Sequence, residues 1–497
     1  MNDAAPTGRR SGGGRLAFVG ILLLAAAARL GQLGVQSLSM DEVKDLAIGR
    51  GGVAYLQASE DRFPPLYHLL LGAWLAAVPA DVTGRGFSAA CGVMTVAAVG
   101  GLGRELGGRK VGLWAALLTA LAPLAIWYSV EARAYGLYLL LASAALWQWM
   151  AAMRSSAWRN WAGFAAASIA GAYAHYYFGL LIALAGLGLL AARPPRQQLL
   201  RGLTAMAVVA VGTAPSLILL KNDLDQPWGY ARTSSFSPAA LGYTYFSYLS
   251  GYTLGPSLRE LHTLGGREAA VAAAPWIALL GAAAGVLLVQ ALAATERRLK
   301  LARAAWFAVF CLAPAAIIGV ASDFASFGYN VRHALWACAP LLAMMALGAA
   351  EGRPRWLARA AAAVAVGGFL VADASRVWAP RHANEDARAA AHFVAAQSPE
   401  APLFVLAGYM SGPLAAYAPR STPIVPLPDA GSSGDAAARA VAVVRRHRAA
   451  GQPVWLAYTR EFHGDPDGVL LAELTQTFQL TVEREFAGIR LYRGTAP

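Results

Sequence analysis

Stretches such as "LAFVGILLLAAAARLGQLGV", residues 16–35, recur along this chain as long apolar runs almost without charge. About 18 such residues suffice to cross ~30 Å of hydrocarbon, and a chain carrying many of them must satisfy its backbone within helices. The 497 residues are 57% hydrophobic and only 14% charged, where a soluble chain carries about a quarter. The pattern predicts a polytopic α-helical membrane protein. Spans are expected at roughly 16–35, 86–103, 111–128, 135–152, 161–175, 177–192, 202–219, 269–293, 305–321, 334–349 and 358–374, about eleven in all. The start "MNDAAPTGRRSGGGR" is basic, but the apolar run behind it is too long for a signal-peptide core, so it is taken as a retained first span. "PPLYHLLLGAWLAAV", residues 64–78, is apolar but too short to span; it reads as a helix at the outer interface, with Tyr67 and Trp74 at headgroup level.

The net charge of +13 is not a nucleic-acid signal, because the basic residues cluster in short loops between apolar runs. Arg9, Arg10 and Arg15; Arg104, Arg109 and Lys110; Arg154 and Arg159; Arg193, Arg196 and Arg201; Arg297, Arg298, Lys300 and Arg303; and Arg353, Arg355 and Arg359 all fall on alternate loops. That distribution places the N-terminus in the cytoplasm. Most loop acids, among them Asp41, Glu42, Asp45, Glu60, Asp61 and Glu131, fall on the opposite side. Cys91, Cys311 and Cys338 lie in apolar segments and offer neither a disulfide framework nor a metal-ligand spacing. Beyond residue 376, helix-like and strand-like segments alternate: 384–397, "PLFVLA", 434–450, "PVWLAYT" and finally "IRLYRG". The expected division is a membrane domain over 1–376 and a small extracytoplasmic α/β domain over 377–497.

Four constellations fall on the outer side. "SLSMDEVKDL" follows the first span with Asp41 and Glu42. "EDRFPPLYHLL" brings Glu60, Asp61 and Arg62 to the interfacial helix. "WYSVEARAYGLY" sets Glu131, Arg133 and Tyr135 in one short turn. "FGYNVRHALW" carries Tyr329, Asn330, Arg332 and His333, and "AYAHYYFG" adds His175, Tyr176 and Tyr177. Any one boundary charge is more often a local pair, as Glu131 with Arg133, or an arginine reaching for lipid phosphate. Recurrence on one face favours a site. A carboxylate there can take a proton from a hydroxyl acceptor, and Arg and His can hold the phosphate of a lipid-linked donor. A divalent metal ion could bridge carboxylate and phosphate, but no ligand set demands one, so no cofactor is assigned and the metal is left open.

At these residues the chain resembles the polytopic lipid-linked-sugar glycosyltransferases of the GT-C fold. The likeness is to the bacterial branch with the protein mannosyltransferase-like domain (families 39 and 83), related to lipid A aminoarabinose transferase. The Asp-Glu pair of "SMDEVKDL", the Pro-Pro-Leu-Tyr element of "FPPLYHLLL", the Glu-Ala-Arg-x-Tyr turn of "YSVEARAYGLY" and the His-Tyr pair of "AHYYFG" carry it, over about residues 15–375. The resemblance implies an inner-membrane inverting transferase that moves a sugar from a polyprenyl monophosphate to an extracytoplasmic glycolipid, polysaccharide or protein. It implies Asp41, Glu42 and Glu131 as the catalytic acids. Substrate contacts would come from Asp61, Arg133, Tyr135, His175, Tyr176, Tyr329, Arg332 and His333, with membrane lipid as the other partner. Family members often carry His before the double proline; here Phe63 stands, so no acceptor or metal contact is assigned to it. The competing reading is a transporter or flippase of a lipid-linked anion. That would call for charges deep in the spans and matching half-sequences, whereas the charges gather at one face and no repeat is evident.

Overall fold

The computed structural model describes residues 12–58, 64–78, 83–155, 157–224, 236–293, 297–324, 329–429, 435–449 and 451–494. They form two compact units: Met1–Leu33, Ile48–Gly255 and Ala270–Ala374 in the first, and Gly34–Ala47, Pro256–Ala269 and Ser375–Pro497 in the second.

The first unit is helical. Among the described residues, eight helices are long and apolar enough to cross a membrane: Gly13–Leu30, Gly84–Leu121, Tyr135–Ser155, Arg196–Lys221, Gly266–Leu292, Leu299–Phe324, Val331–Glu351 and Arg355–Trp378. The second of these would reach ~57 Å if straight, nearly twice the hydrocarbon thickness. It does not run straight. Gly108 sits at φ 80° and ψ −170°, a conformation only glycine adopts readily, and the chain folds back there. A Cβ on Gly112 would stand 2.8 Å from the carbonyl oxygen of Gly100, and one on Gly103 would stand 2.6 Å from the Cβ of Ala115. The two halves are therefore packed face to face through small residues, matching the expected spans 86–103 and 111–128.

The remaining expected spans are helical too, but Trp158–Ala174 and Phe178–Ala192 have only 17 and 15 residues. The count by length and composition is thus eight rather than about eleven. The difference comes from one hairpin scored as a single helix and from two helices about a turn short of ~30 Å. The short segment expected at 64–78 is the helix Leu66–Ala77. Pro238–Ser250, helical in the structure, has no counterpart among the expected elements.

One buried charge explains how the hairpin ends. Pro123 begins a new short helix, Pro123–Ser129. Its missing N–H deprives the carbonyl four residues back, that of Thr119, of a donor. Arg29, with no exposed surface, donates to the carbonyls of Thr119 at 3.4 Å, Ala120 at 3.1 Å and Ala25 at 3.1 Å. A cation at a helix C-terminus also opposes the negative end of its dipole. Arg29 is a structural cap.

The second unit is built on a five-stranded sheet of order β2-β1-β3-β5-β4, with β1 Leu403–Val405, β2 Ile424–Pro426, β3 Val454–Thr459, β4 Thr481–Phe486 and β5 Ile489–Gly494. β1 pairs in parallel with β2 and β3, whereas β3–β5 and β5–β4 are antiparallel. Period-two alternation sends Phe404 and Leu456 to one face, against Val441, Val444, Leu470 and Leu474 of two helices. Leu403, Val405, Trp455, Ala457 and Leu491 face the other way, against the helix Ala387–Gln397. Strands β1 and β3 are covered on both faces, the expected α/β layering, whereas the edge strand β4 is largely exposed. The loop before Met40 belongs to this unit. Ser37 donates to Asp386 at 2.9 Å, the Leu38 N–H donates to the Tyr417 hydroxyl at 2.9 Å, and Arg388 donates to the Gly34 carbonyl at 3.0 Å.

Candidate active site

In the first unit, the turn 130–134 joins the helix Pro123–Ser129 to Tyr135–Ser155. The Arg133 N–H donates to the Glu131 carbonyl at 2.8 Å, which tightens the turn and presents the two side chains two residues apart. Glu131 is half-buried, whereas Arg133 and Tyr135 are buried. The Arg133 guanidinium carbon lies 5.5 Å from the centre of the Tyr135 ring, and that of Arg332 lies 5.6 Å from the same centre. Two guanidiniums on one ring each gain a cation–π contact and repel each other, and a bound dianion would reverse the repulsion.

Arg332 and His333 open Val331–Glu351, the most enclosed of the eight long helices. Its first turns, Val331–Ala337, are 3₁₀, and the Asn330 side chain caps them by accepting from the Arg332 N–H at 3.1 Å. His175 follows Trp158–Ala174 and is buried. It stacks on Tyr138 with ring centres 4.4 Å apart, while His333 stacks on Tyr177 at 4.5 Å. Tyr138 donates its hydroxyl to the His333 carbonyl at 3.1 Å, so the two stacks share one framework. Tyr329 stands at the edge, its hydroxyl 2.7 Å from that of Thr244. Tyr176 occupies the same turn as His175.

The structure thus gathers Arg133, Tyr135, His175, Arg332 and His333 into one aromatic and cationic cluster. It adds residues that the sequence had not singled out. Tyr128 lies 4.9 Å from Tyr135, ring to ring, and its hydroxyl is 2.9 Å from that of Tyr252. Tyr252 sits at φ 70°, a left-handed conformation that costs a bulky residue on the order of 1–3 kcal/mol. A Tyr directly after Gly251 is the only sequence hint of it.

The acidic pair lies in the second unit. Ser39 is the N-cap of the helix Met40–Ala58. Its hydroxyl accepts from the Glu42 N–H at 3.3 Å, and Glu42 Oε2 accepts from the Ser39 N–H at 2.9 Å. This reciprocal Ser-x-x-Glu arrangement is a capping box. Glu42 has no exposed surface, and Asp41 beside it is half-exposed. The geometry gives Glu42 a structural task and leaves Asp41 the more accessible carboxylate. Asp61 and Phe63 lie outside the described residues. No group of three His, Cys, Asp or Glu able to hold a metal ion occurs among the described residues.

Residues 64–219 match the family model described as dolichyl-phosphate-mannose-protein mannosyltransferase, which is less than half of the chain. Among solved structures, ArnT from Cupriavidus metallidurans bound to undecaprenyl phosphate is 14% identical, with a TM-score of 0.55 over 97% of this chain and 98% of that one. The chain has the GT-C fold. The oligosaccharyltransferase of Archaeoglobus fulgidus gives the same answer. Its complex with zinc and sulfate superposes with a TM-score of 0.55 at 14% identity, covering 96% of this chain and 73% of that one. Its complex with an inhibitory peptide and a dolichol-phosphate gives 0.50 at 14%, covering 98% and 75%. No curated protein matches the sequence. Within this GT-C chain the matched segment contains the Glu131–Tyr135 turn and His175, whereas the Arg332 helix start lies beyond it.

Proposed function

We propose that this GT-C protein is an inverting glycosyltransferase that moves a sugar from a polyprenyl monophosphate to an acceptor on the extracytoplasmic side of the inner membrane. The observation that carries the reading is the pair Arg133 and Arg332 over Tyr135, beside the start of an enclosed helix. Such an arrangement suits a phosphate leaving group. The fold's solved relatives bound to undecaprenyl phosphate and dolichol-phosphate support a lipid phosphate as the anion.

In the proposed step the acceptor hydroxyl gives its proton to a carboxylate, and its oxygen bonds to the anomeric carbon from the face opposite the phosphate. The carbon–oxygen bond to phosphate breaks, and the electron pair leaves with the polyprenyl phosphate. Arg133 and Arg332 receive the charge that grows there. Asp41 is assigned as the base on its own chemistry, an accessible carboxylate next to a committed one. Glu131, His175, Tyr176, Tyr329 and His333 are assigned to substrate positioning, and Asp61 keeps the role that the resemblance implies.

The test is a comparison of lipid-linked sugars in membranes with and without the protein. One polyprenyl-phosphate sugar is expected to accumulate without it. The purified protein should consume that sugar in the presence of an envelope acceptor fraction, releasing polyprenyl phosphate. If no lipid-linked sugar accumulates and no polyprenyl phosphate is released, the reading fails.

Orientation has its own test. The alternating basic loops place the N-terminus in the cytoplasm and the C-terminal domain outside. A periplasm-active reporter fused after Ala383 is expected to give signal, and a reporter active only in the cytoplasm is expected to stay silent. The opposite pattern reverses the topology.

A further inference from the structure

The second unit has a cleft of its own, about 280 Å³ in volume, between the loop around Arg259 and the β3–β5 edge of the sheet. Its lining carries three arginines, Arg259, Arg460 and Arg490, and three glutamates, Glu260, Glu461 and Glu485. Three rings, Tyr458, Phe462 and Phe486, complete it.

The walls are fixed before any ligand arrives. Ser257 and Glu260 exchange hydrogen bonds, the Ser257 N–H donating to Glu260 Oε2 at 2.7 Å and the Glu260 N–H to the Ser257 hydroxyl at 3.3 Å. Arg381 donates twice to the Glu260 carboxylate, at 3.0 and 2.8 Å. The partly buried carboxyl is held below the ordinary range, because Arg381 and Ser257 outweigh its desolvation. Arg259 donates to the carbonyls of Ala383, Pro380 and Arg381 at 2.8, 3.3 and 3.2 Å. Gly488, at φ 65°, lets the β4–β5 turn approach this guanidinium; a Cβ there would stand 2.8 Å from Arg259 Nη1. Arg460 donates to Glu385 at 2.8 Å. His262 lies flat on Phe462, ring centres 4.3 Å apart, its imidazole kept below its usual pKa by partial burial and by the charges of Arg460 and His463.

Equal numbers of arginines and glutamates leave the cleft without net charge, which favours neither a polyanion nor a polycation. Half-buried aromatic rings offer flat apolar surface, and the charged rim offers donors and acceptors at its edges. A ligand with apolar C–H faces and a girdle of hydroxyls fits both features. We propose that this cleft is a saccharide-binding site, taking one or two neutral sugar residues of an envelope glycan, with the face of Phe462 opposite His262 as the stacking platform and Glu461 accepting from hydroxyls. The volume, at the small end of ligand pockets, limits it to that length. The proposal concerns a site apart from the Arg133–Arg332 cluster and stands whether or not that cluster transfers sugar.

The experiment uses the full-length protein in detergent and a panel of methyl glycosides of mannose, galactose, glucose and N-acetylglucosamine, read by saturation-transfer NMR. At least one glycoside is expected to receive saturation. The apparent affinity should weaken about tenfold or more in Phe462→Ala and in Glu461→Gln. Glu461→Gln keeps the shape of the wall, so its result holds even where Phe462→Ala loosens the loop. The proposal is overturned if no glycoside at millimolar concentration receives saturation, or if both cleft variants bind like the wild type. It is equally overturned if glycerophosphocholine, the probe for a zwitterionic lipid headgroup, displaces the signal at lower concentration than any glycoside.

Discussion

Asp41→Asn is expected to lower turnover by about 10²–10⁴-fold, the usual contribution of a general base, while donor binding changes little. A carboxamide nearly matches a carboxylate in size but cannot accept a proton. The local structure sharpens the choice between neighbours. Glu42 is fully buried and exchanges hydrogen bonds with Ser39 across the first turn of its helix, whereas Asp41 is half-exposed. Glutamine can take the same capping position, so Glu42→Gln is expected to keep most of the turnover. Glu42→Ala should instead reduce stability by about 0.5–2 kcal/mol, the typical worth of a cap. Turnover is measured on purified, monodisperse variants with a defined polyprenyl-phosphate sugar, and stability by thermal unfolding in the same detergent. Near-normal turnover in Asp41→Asn together with loss in Glu42→Gln would exchange the two roles. Retention in both would remove this loop from the chemistry.

The membrane architecture was legible because long apolar runs have few alternatives, and even the double span 86–128 was readable from the basic "RELGGRK" at its fold. The glycine at φ 80° supplies the physical reason for that fold. Length was legible as well: the expected spans 161–175 and 177–192 lie within a few residues of the helices Trp158–Ala174 and Phe178–Ala192, and Pro194 and Pro195 mark the end of the second. In the C-terminal region β1, β3 and β5 showed as "PLFVLA", "PVWLAYT" and "IRLYRG", while β2, three residues long, and the exposed β4 offer no apolar run to read. The packing of Gly34–Ala47 and Pro256–Ala269 with residues beyond Ser375 has no local signature at all. It depends on hydrogen bonds between residues more than a hundred positions apart, such as Ser37 with Asp386.

The candidate site divides in the same way. Charged residues at span boundaries stand out against an apolar background, so Arg133, Arg332, His175 and His333 were visible. Tyr177 was visible beside His175, but Tyr128, Tyr138 and Tyr252, which pack around the cluster, were not, because a tyrosine in an apolar run reads as an ordinary core or interfacial aromatic. Charge is rare in a membrane chain and aromatic surface is not. The sequence therefore shows the charged groups of the proposed site more readily than the aromatic groups packed around them.

Those aromatic contacts set the expectation for the arginines. Arg133→Ala and Arg332→Ala are each expected to reduce turnover by about 10²–10³-fold, the usual loss when one preorganised donor to a developing oxyanion is removed. Both also weaken donor binding, because the phosphate carries charge before the bond breaks. Arg332→Lys should recover only part of the loss: it restores a positive charge but not the planar fork that lies against Tyr135 and can grip two phosphate oxygens. If the two guanidiniums serve one phosphate, their effects are coupled, and the double variant should lose less than the product of the single losses. The measurements are donor affinity, by displacement of a polyprenyl-phosphate probe, and turnover at saturating donor, both on variants that elute as folded protein. Tyr135→Phe is the control, since it keeps the ring that both arginines face and is expected to stay within a few-fold of the wild type. Normal donor affinity in both alanine variants would assign the pair to packing. Losses that multiply independently would place the two arginines on different groups of the substrate.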